Sequence, residues 1–235
     1  MNLENKVTII SGASGGLGET VTHIFYETGA TVVLLGSRLA GVQTLAAELG
    51  QERALPLGAN LTDPAEAEQV VTATLDRFGR VDILLNLAGG FAGGKPVTDS
   101  ADDELTKMLD INLRTAYNLS RAAVKPMMDQ RWGRIVNVGS RDALHGRPNY
   151  SAYAISKAAV LRLTESLAAE VQDFGVTVNA ILPGTIDTEA NRKSQPDADF
   201  SKWVKPAEIA ATLLFLASDG AAVINGATIP LFGRS

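Results

Sequence analysis

The sequence predicts an α/β protein: a parallel sheet wound on both sides by helices, in three layers and a single domain. Three features carry that expectation. Short apolar runs rich in β-branched residues recur from Lys6 to Leu231, and their near-continuous hydrophobicity suits strands buried on both faces. Amphipathic stretches with 3.6-residue spacing separate them. Glycine and proline punctuate the junctions where a helix must begin or end.

The elements follow in order. A strand at Lys6 to Ile10 leads to a helix at Leu17 to Thr28, stopped by Gly29. Ala30 to Leu35 is the second strand, and Ala40 to Leu49 the second helix, closed by Gly50. At Asp63-Pro64 a carboxylate can cap the free amides of a helix whose first turn accepts the fixed φ of proline, and that helix runs to Phe78 before Gly79. A strand at Val81 to Leu85, a helix at Asp102 to Leu119 and a strand at Arg134 to Val138 come next. The chain continues with a helix at Ala152 to Phe174 before Gly175, a strand at Val176 to Leu182, a helix at Pro206 to Ser218 and a strand at Ala227 to Leu231. The long segments without periodicity are Gly89 to Thr98 and Pro183 to Lys205, both directly after strands. In an open α/β sheet the ligand crevice lies outside the carboxyl ends of the strands, so these loops are expected to wall a site, with residues 185–205 as a lid.

Composition narrows the function. The chain has 235 residues, read as one domain over 1–235, with 21 Lys and Arg against 26 Asp and Glu. A net charge of −5 gives no electrostatic case for nucleic acid or an anionic membrane, so a small-molecule partner is expected. The absence of cysteine excludes thiolate chemistry and Cys-ligated metal, and the separated His23 and His145 have no metal-ligand spacing, so no metal is expected. The opening MNLENKVTII lacks the pattern of a signal peptide, no apolar run approaches the ~20 residues that span a bilayer, and a cytoplasmic protein is expected.

Ser11-Gly12-Ala13-Ser14-Gly15-Gly16-Leu17-Gly18 follows the first strand and runs into a helix. Glycines allow a sharp turn and close backbone approach to a pyrophosphate, whose charge faces the free amides at the helix start. Tyr153 and Lys157 stand four apart on a predicted helix, within mutual reach. A phenol of pKa about 10 is a poor acid–base group at neutral pH, and an adjacent ammonium is expected to lower that value.

The spacing Gly12, Gly16, Gly18 resembles the glycine motif of the short-chain dehydrogenase/reductases, with Ser11 in place of the usual Thr. The likeness continues in order. Ser140 lies thirteen residues before Tyr153, Asn112 sits in Asp-Ile-Asn-Leu, Asn86-Leu87-Ala88-Gly89 is similar to the family's NNAG, and Pro183-Gly184-Thr185-Ile186-Asp187-Thr188 is similar to its PGxIxT. Asn60-Leu61-Thr62-Asp63 begins with an amide where the family usually has Asp. The resemblance implies a Rossmann fold and a tetrad of Asn112, Ser140, Tyr153 and Lys157. In it Ser140 bonds the substrate oxygen, Tyr153 transfers a proton, Lys157 holds the nicotinamide ribose, and Asn112 anchors a proton-relaying water. It also implies cofactor contacts from Gly12, Ser14, Gly16, Leu17, Gly18, Asn60, Leu61, Asn86, Ala88, Gly89, Tyr153, Lys157, Pro183, Gly184, Ile186 and Thr188, and a homo-oligomer, dimer or tetramer, packed through the two long helices.

After the second strand, where NAD-selective relatives carry an acidic residue, this chain has Ser37-Arg38. Both side chains can donate to a 2′-phosphate, so NADP(H) is favoured and NAD(H) stays open. The expected reaction is hydride transfer between nicotinamide and a carbonyl or alcohol. Gly89-Gly90-Phe91-Ala92-Gly93-Gly94, and the lid through Trp203, resemble the dihydropteridine reductase branch, which makes pterin reduction an alternative with Phe91 and Trp203 as stacking rings. That branch lacks the Ser and Asn present here. A dinucleotide-sensing scaffold without chemistry is the third reading, and the complete tetrad argues against it.

Overall fold

The computed structural model describes residues 2–50 and 52–234. Seven strands form one sheet: β1 (Val7–Ser11), β2 (Thr31–Gly36), β3 (Ala54–Gly58), β4 (Ile83–Asn86), β5 (Gly133–Val138), β6 (Val176–Pro183) and β7 (Thr228–Leu231). Their order is β3-β2-β1-β4-β5-β6-β7 and every pairing is parallel. The chain therefore winds outward from β1 in one direction, then crosses to β4 and winds in the other.

Alternate strand residues feed two cores, as a pleat of period two requires. Ile10, Leu34, Leu85 and Val136 face one side, with Phe25 of α1 (Gly16–Glu27) and Leu213 of α8 (Pro206–Leu216). Ile9, Val33, Leu84 and Ile135 face the other, with Val70 of α3 (Pro64–Phe78), Leu119 and Met127 of α5 (Thr115–Asp129), and Val171 of α6 (Ser151–Val171). The remaining helices are α2 (Ala40–Leu49), α4 (Glu104–Met108) and α7 (Glu189–Ser194). Helix caps follow the sequence chemistry: the Asp63 side chain accepts from the Ala65 amide at 2.8 Å, and Gly79 adopts a left-handed conformation at the other end of α3.

Three departures from the sequence expectation matter. β3 is a strand that the sequence pattern does not announce. It holds Pro56, tolerable because β3 is an edge strand whose other side carries no ladder. The helix expected at Asp102 to Leu119 is α4, then a π-helical turn at Leu109–Arg114, then α5, which continues to Asp129 past Pro126. The segment after β6 is not structureless: Ile186 bridges Val204, α7 lies between them, and Phe200–Lys202 forms a further turn. None of the described helices is long and apolar enough to cross a membrane.

Candidate active site

The four loops that leave β1, β2, β3 and β4 at their carboxyl ends meet around the point where the sheet changes winding direction. Gly12 takes φ +70°, and a Cβ there would stand 2.9 Å from the Ala88 amide nitrogen. A Cβ on Gly18 would collide with the Gly12 carbonyl oxygen, and one on Gly16 would stand 3.1 Å from the Thr188 methyl. Glycine at these positions lets the turn close against β4 on one side and the start of the lid on the other. The Ser11 hydroxyl fastens the junction, accepting from the Ala88 amide at 3.1 Å and reaching the Leu85 carbonyl at 3.3 Å.

A cleft of about 770 Å³ opens there. Gly12, Ser14, Ser37, Asn60, Leu61, Ala88 and Gly89 line it, together with Ala59, Thr62 and Leu87. The size, the glycine cradle that side chains would fill and the amides at the start of α1 fit a dinucleotide. Arg38 is exposed beside Ser37, and no described acidic residue pairs with it. Lys107, Asp110, Ile111 and Thr115 of the α4–α5 segment also line the cleft; Asp110 and Ile111 stand in the motif around Asn112, and none of the four is among the cofactor contacts that the family resemblance implies. The π turn carries an extra residue per turn, which rotates this face in a way that 3.6-residue spacing does not show. Among the described residues no group is placed to hold a metal ion.

Beyond the cleft the structure gathers Asn112, Ser140, Tyr153 and Lys157. Asn112, on the π turn, accepts from the Gly90 amide at 2.9 Å and donates to the Gly90 carbonyl and the Ser156 hydroxyl, each at 3.0 Å. A Cβ on Gly89 would lie 2.8 Å from Asn112 Oδ1 and 3.3 Å from Lys157 Nζ, so this glycine lets both groups approach one backbone position. Ser140 follows β5, and its hydroxyl accepts from the Asp142 amide at 3.2 Å and bonds the Tyr153 hydroxyl.

The electrostatics differ from the expectation that Lys157 lowers the Tyr153 phenol. Burial raises the pKa of Tyr153, with the Ser140 hydrogen bond the largest opposing influence. Lys157 instead turns its ammonium to the Val138 carbonyl at 2.8 Å, and burial brings its pKa down to about 8.

Other expected residues take different places. Asn86 turns its side chain away from the cleft, donating to Ser120 Oγ at 3.0 Å and to Asn137 Oδ1, its cross-strand neighbour, at 2.8 Å. It thus supports the Ala88-Gly89 turn from behind. Leu17 packs on the apolar cluster beneath the glycine turn. Pro183 is buried at the end of β6, Gly184 donates to the Leu231 carbonyl at 2.9 Å, Ile186 forms the lid bridge, and Thr188 caps α7. Phe91 is 60% exposed, with its ring centroid 5.0 Å from that of Tyr153 and 5.5 Å from that of Tyr150. Trp203 is 8% exposed and stacks on Phe200 at 4.8 Å, so it anchors the lid to the body of the protein rather than presenting a free ring face.

Fold and site together place the chain among the doubly wound oxidoreductases. It belongs to the short-chain dehydrogenase family, whose model matches residues 6–199. The chain is 35% identical over 241 residues to the 3-oxoacyl-(acyl-carrier-protein) reductase of Vibrio cholerae, covering 99% of this chain and 98% of that one. It is 36% identical over 252 residues to an uncharacterized oxidoreductase of Thermotoga maritima, covering 100% and 99%. Among solved structures, an NAD+-bound xylitol dehydrogenase superimposes with a TM-score of 0.91 at 25% identity, covering 99% of this chain and all of that one. None of these three is named for pterin reduction.

Proposed function

We propose that this protein is an NADP(H)-dependent carbonyl reductase, reversible toward the alcohol, in which Tyr153 carries the proton. The observation that supports the reading most is the approach of Asn112 and Lys157 to Gly89 of the cleft, with Tyr153 one turn before Lys157 and hydrogen-bonded to Ser140. Gly12, Ser14, Ala88 and Gly89 would hold a nicotinamide dinucleotide in the cleft, and the chemistry it would supply when bound is hydride transfer. Ser140 holds the substrate oxygen by hydrogen bonding, and Tyr153 passes its proton to that oxygen. Lys157, whose ammonium lies beside Gly89, would hold the nicotinamide ribose and present positive charge as the phenolate forms. Asn112 clamps Gly90, fixing the loop that carries Phe91, and is the anchor for a water that returns the proton. The Phe91 ring packs between those of Tyr150 and Tyr153 beside the reacting hydroxyl.

Ser37 at the cleft wall and the unpaired Arg38 support NADP(H) over NAD(H), since a guanidinium meets a phosphate in bidentate fashion. The named relatives make 3-oxoacyl thioesters the first substrates to try. A pterin remains the second reading, on the exposed Phe91 ring next to Tyr153. We expect a cytoplasmic homo-oligomer packed through α5 and α6, where a groove of about 360 Å³ runs past Tyr117, Val124 and Leu163.

The deciding experiment follows NADPH oxidation by the purified protein with oxoacyl thioesters, simple ketones and quinonoid dihydropterin, beside Tyr153→Phe. Turnover of the thioesters or ketones, lost in Tyr153→Phe, supports the proposal. Turnover of the pterin alone replaces the substrate class. Tight NADPH binding with silence across the panel returns the protein to a dinucleotide sensor.

A further inference from the structure

The turn that leaves β5 carries a carboxylate and the loop after it a guanidinium, and the tetrad uses neither. Asp142 lies two residues beyond Ser140, and Arg147 precedes α6 by four residues. We propose that Asp142 and Arg147 form a charge pair that positions the proton-transferring hydroxyl of Tyr153, Asp142 by orienting Ser140 and Arg147 by balancing Asp142. The inference rests on Tyr153 as the proton carrier.

Geometry ties the pair to the site at three points. The Asp142 amide donates to Ser140 Oγ at 3.2 Å and occupies one of its lone pairs, which leaves the single hydroxyl proton of Ser140 to point at Tyr153 or a substrate oxygen. The Asp142 carboxylate is only 12% exposed, and both its oxygens accept from Arg147, at 2.5 Å from Nε and 3.0 Å from Nη2. Arg147 in turn lies 4.2 Å from the Tyr150 ring centroid, and Tyr150 and Tyr153 both pack on Phe91. A fork-shaped guanidinium suits this double task of bidentate pairing and ring stacking, and Lys fills it less well.

The charges act on Tyr153 with opposite sign. Burial is the largest influence and raises its pKa, and the Ser140 hydrogen bond lowers it. Of the two charges, the Asp142 carboxylate raises it and the Arg147 guanidinium lowers it. On the helix of Tyr153 itself, Lys157 stands one turn on with its ammonium committed to Val138, while the Gly89–Gly94 loop presents the uncharged ring of Phe91. The two charges thus oppose each other at Tyr153, and either half alone would bias it in one direction.

The test is the pH profile of alcohol oxidation, the direction in which the phenolate is the base. Arg147→Gln leaves the carboxylate unopposed, disfavours the phenolate and moves the profile to higher pH, with oxidation at neutral pH down about threefold for a partly exposed pair. Asp142→Asn leaves the guanidinium unopposed and moves the profile to lower pH. The double variant returns toward the parent profile, and Arg147→Lys, which keeps the charge, stays near it. A purely structural role moves both single variants in the same direction and worsens the double. Shifts of the same sign, or none, overturn the proposal. If Asp142→Asn fails to fold, the comparison of Arg147→Gln with Arg147→Lys decides alone, since equal profiles refute it. Tyr153→Phe runs beside them: an active variant refutes the proton-carrier reading itself, whereas an inactive one with unshifted pair variants refutes only the pair.

Discussion

Lys157 donates to the Val138 carbonyl from a side chain buried within the protein, and burial alone lowers its pKa from 10.5 to about 8. An ammonium in that position destabilises the fold. A tenfold change in a protonation equilibrium corresponds to about 1.4 kcal/mol, so the penalty at neutral pH is about 3 kcal/mol. Replacement by Met fills a similar volume without the charge and forfeits one hydrogen bond, worth about 1 kcal/mol.

Lys157→Met is therefore expected to be inactive yet more stable, by roughly 1–2 kcal/mol or about 4 °C in Tm at pH 7. The pH dependence has a definite sign. Below about 8 the lysine is protonated in both folded and unfolded chains and the penalty is complete. Between about 8 and 10.5 the folded protein has released a proton that the unfolded chain still holds, so raising the pH stabilises the parent. The advantage of the variant should shrink through that window. Calorimetry at pH 7 and pH 10 checks it, and an equal or larger advantage at pH 10 contradicts the assignment.

Tyr153→Phe removes the hydroxyl that Ser140 bonds but keeps the ring packed against Phe91. General acid–base groups contribute about 10²–10⁴ in rate. A fall in kcat of that size, with dinucleotide affinity within about threefold of the parent by fluorescence titration, is the expected outcome. A comparable loss of affinity would make Tyr153 a binding group instead.

Why some of this is legible in the sequence and some is not has a physical basis. Tyr153 and Lys157 share a regular helix, so their spacing in the chain is their spacing in space. The glycines of the first turn are required by close backbone contacts, which leave a mark on residue type. By contrast, β3 hides behind Pro56 and Gly58, residues that usually signal a loop and are allowed here by the sheet edge. Asp110 and Ile111 reach the cleft on the π turn, whose extra residue has no compositional signature. The Leu61 and Thr62 carbonyls take their hydrogen bonds from Asn118, 57 and 56 residues away, a relation that only the folded topology supplies. Asn86 stands in a motif that points to the cofactor, and its burial against Ser120 and Asn137 depends on neighbours that the motif does not contain.

The chain of buried amides behind the site gives a stability prediction. Asn137 accepts from Asn86 and donates to Thr164 Oγ1 at 2.9 Å, with no solvent exposure. Asn137→Ala leaves polar partners unsatisfied around a small cavity, at an expected cost of about 2–3 kcal/mol in urea denaturation. Because Asn86 immediately precedes the cleft turn, KM for the dinucleotide should rise more than kcat falls. A variant within roughly 0.5 kcal/mol of the parent, the scatter of surface substitutions, would show the network to be dispensable.

Ser37 lines the cleft while Arg38 stands exposed and without an acidic partner beside it. Ser37→Asp places a carboxylate where a 2′-phosphate would lie, and offers an acceptor to the ribose hydroxyls of NADH instead. Preference between NADPH and NADH, measured as the ratio of kcat/KM values, should move toward NADH by at least about tenfold, the loss of one charge-assisted hydrogen bond. An unmoved ratio would mean that this loop does not meet the phosphate.

The lid offers the last prediction, because its anchors are unevenly distributed. Its ends are stitched down by the Ile186–Val204 bridge, by the Asn191 side-chain amide on the Ile186 carbonyl at 2.8 Å, and by the buried Trp203. Its middle is α7, a helix of 6 residues held by the exposed pair Lys193–Glu189 and by a bidentate pair between the exposed Arg192 and the largely covered Asp187. An exposed pair contributes little and no residue of α7 is buried, so α7 should open locally far more often than the sheet. Thr188, which caps α7, lies so close to Gly16 of the glycine turn that a Cβ there would stand 3.1 Å from it, so a dinucleotide bound over that turn is expected to stabilise the start of the lid. Trypsin should cut after Arg192 and Lys193 readily in the protein alone and several-fold more slowly with saturating NADP(H). The Thr188→Gly variant, which loses both cap and contact, should be cut at similar rates with and without the dinucleotide. Equal cleavage rates in the parent would show instead that α7 does not report on the cleft.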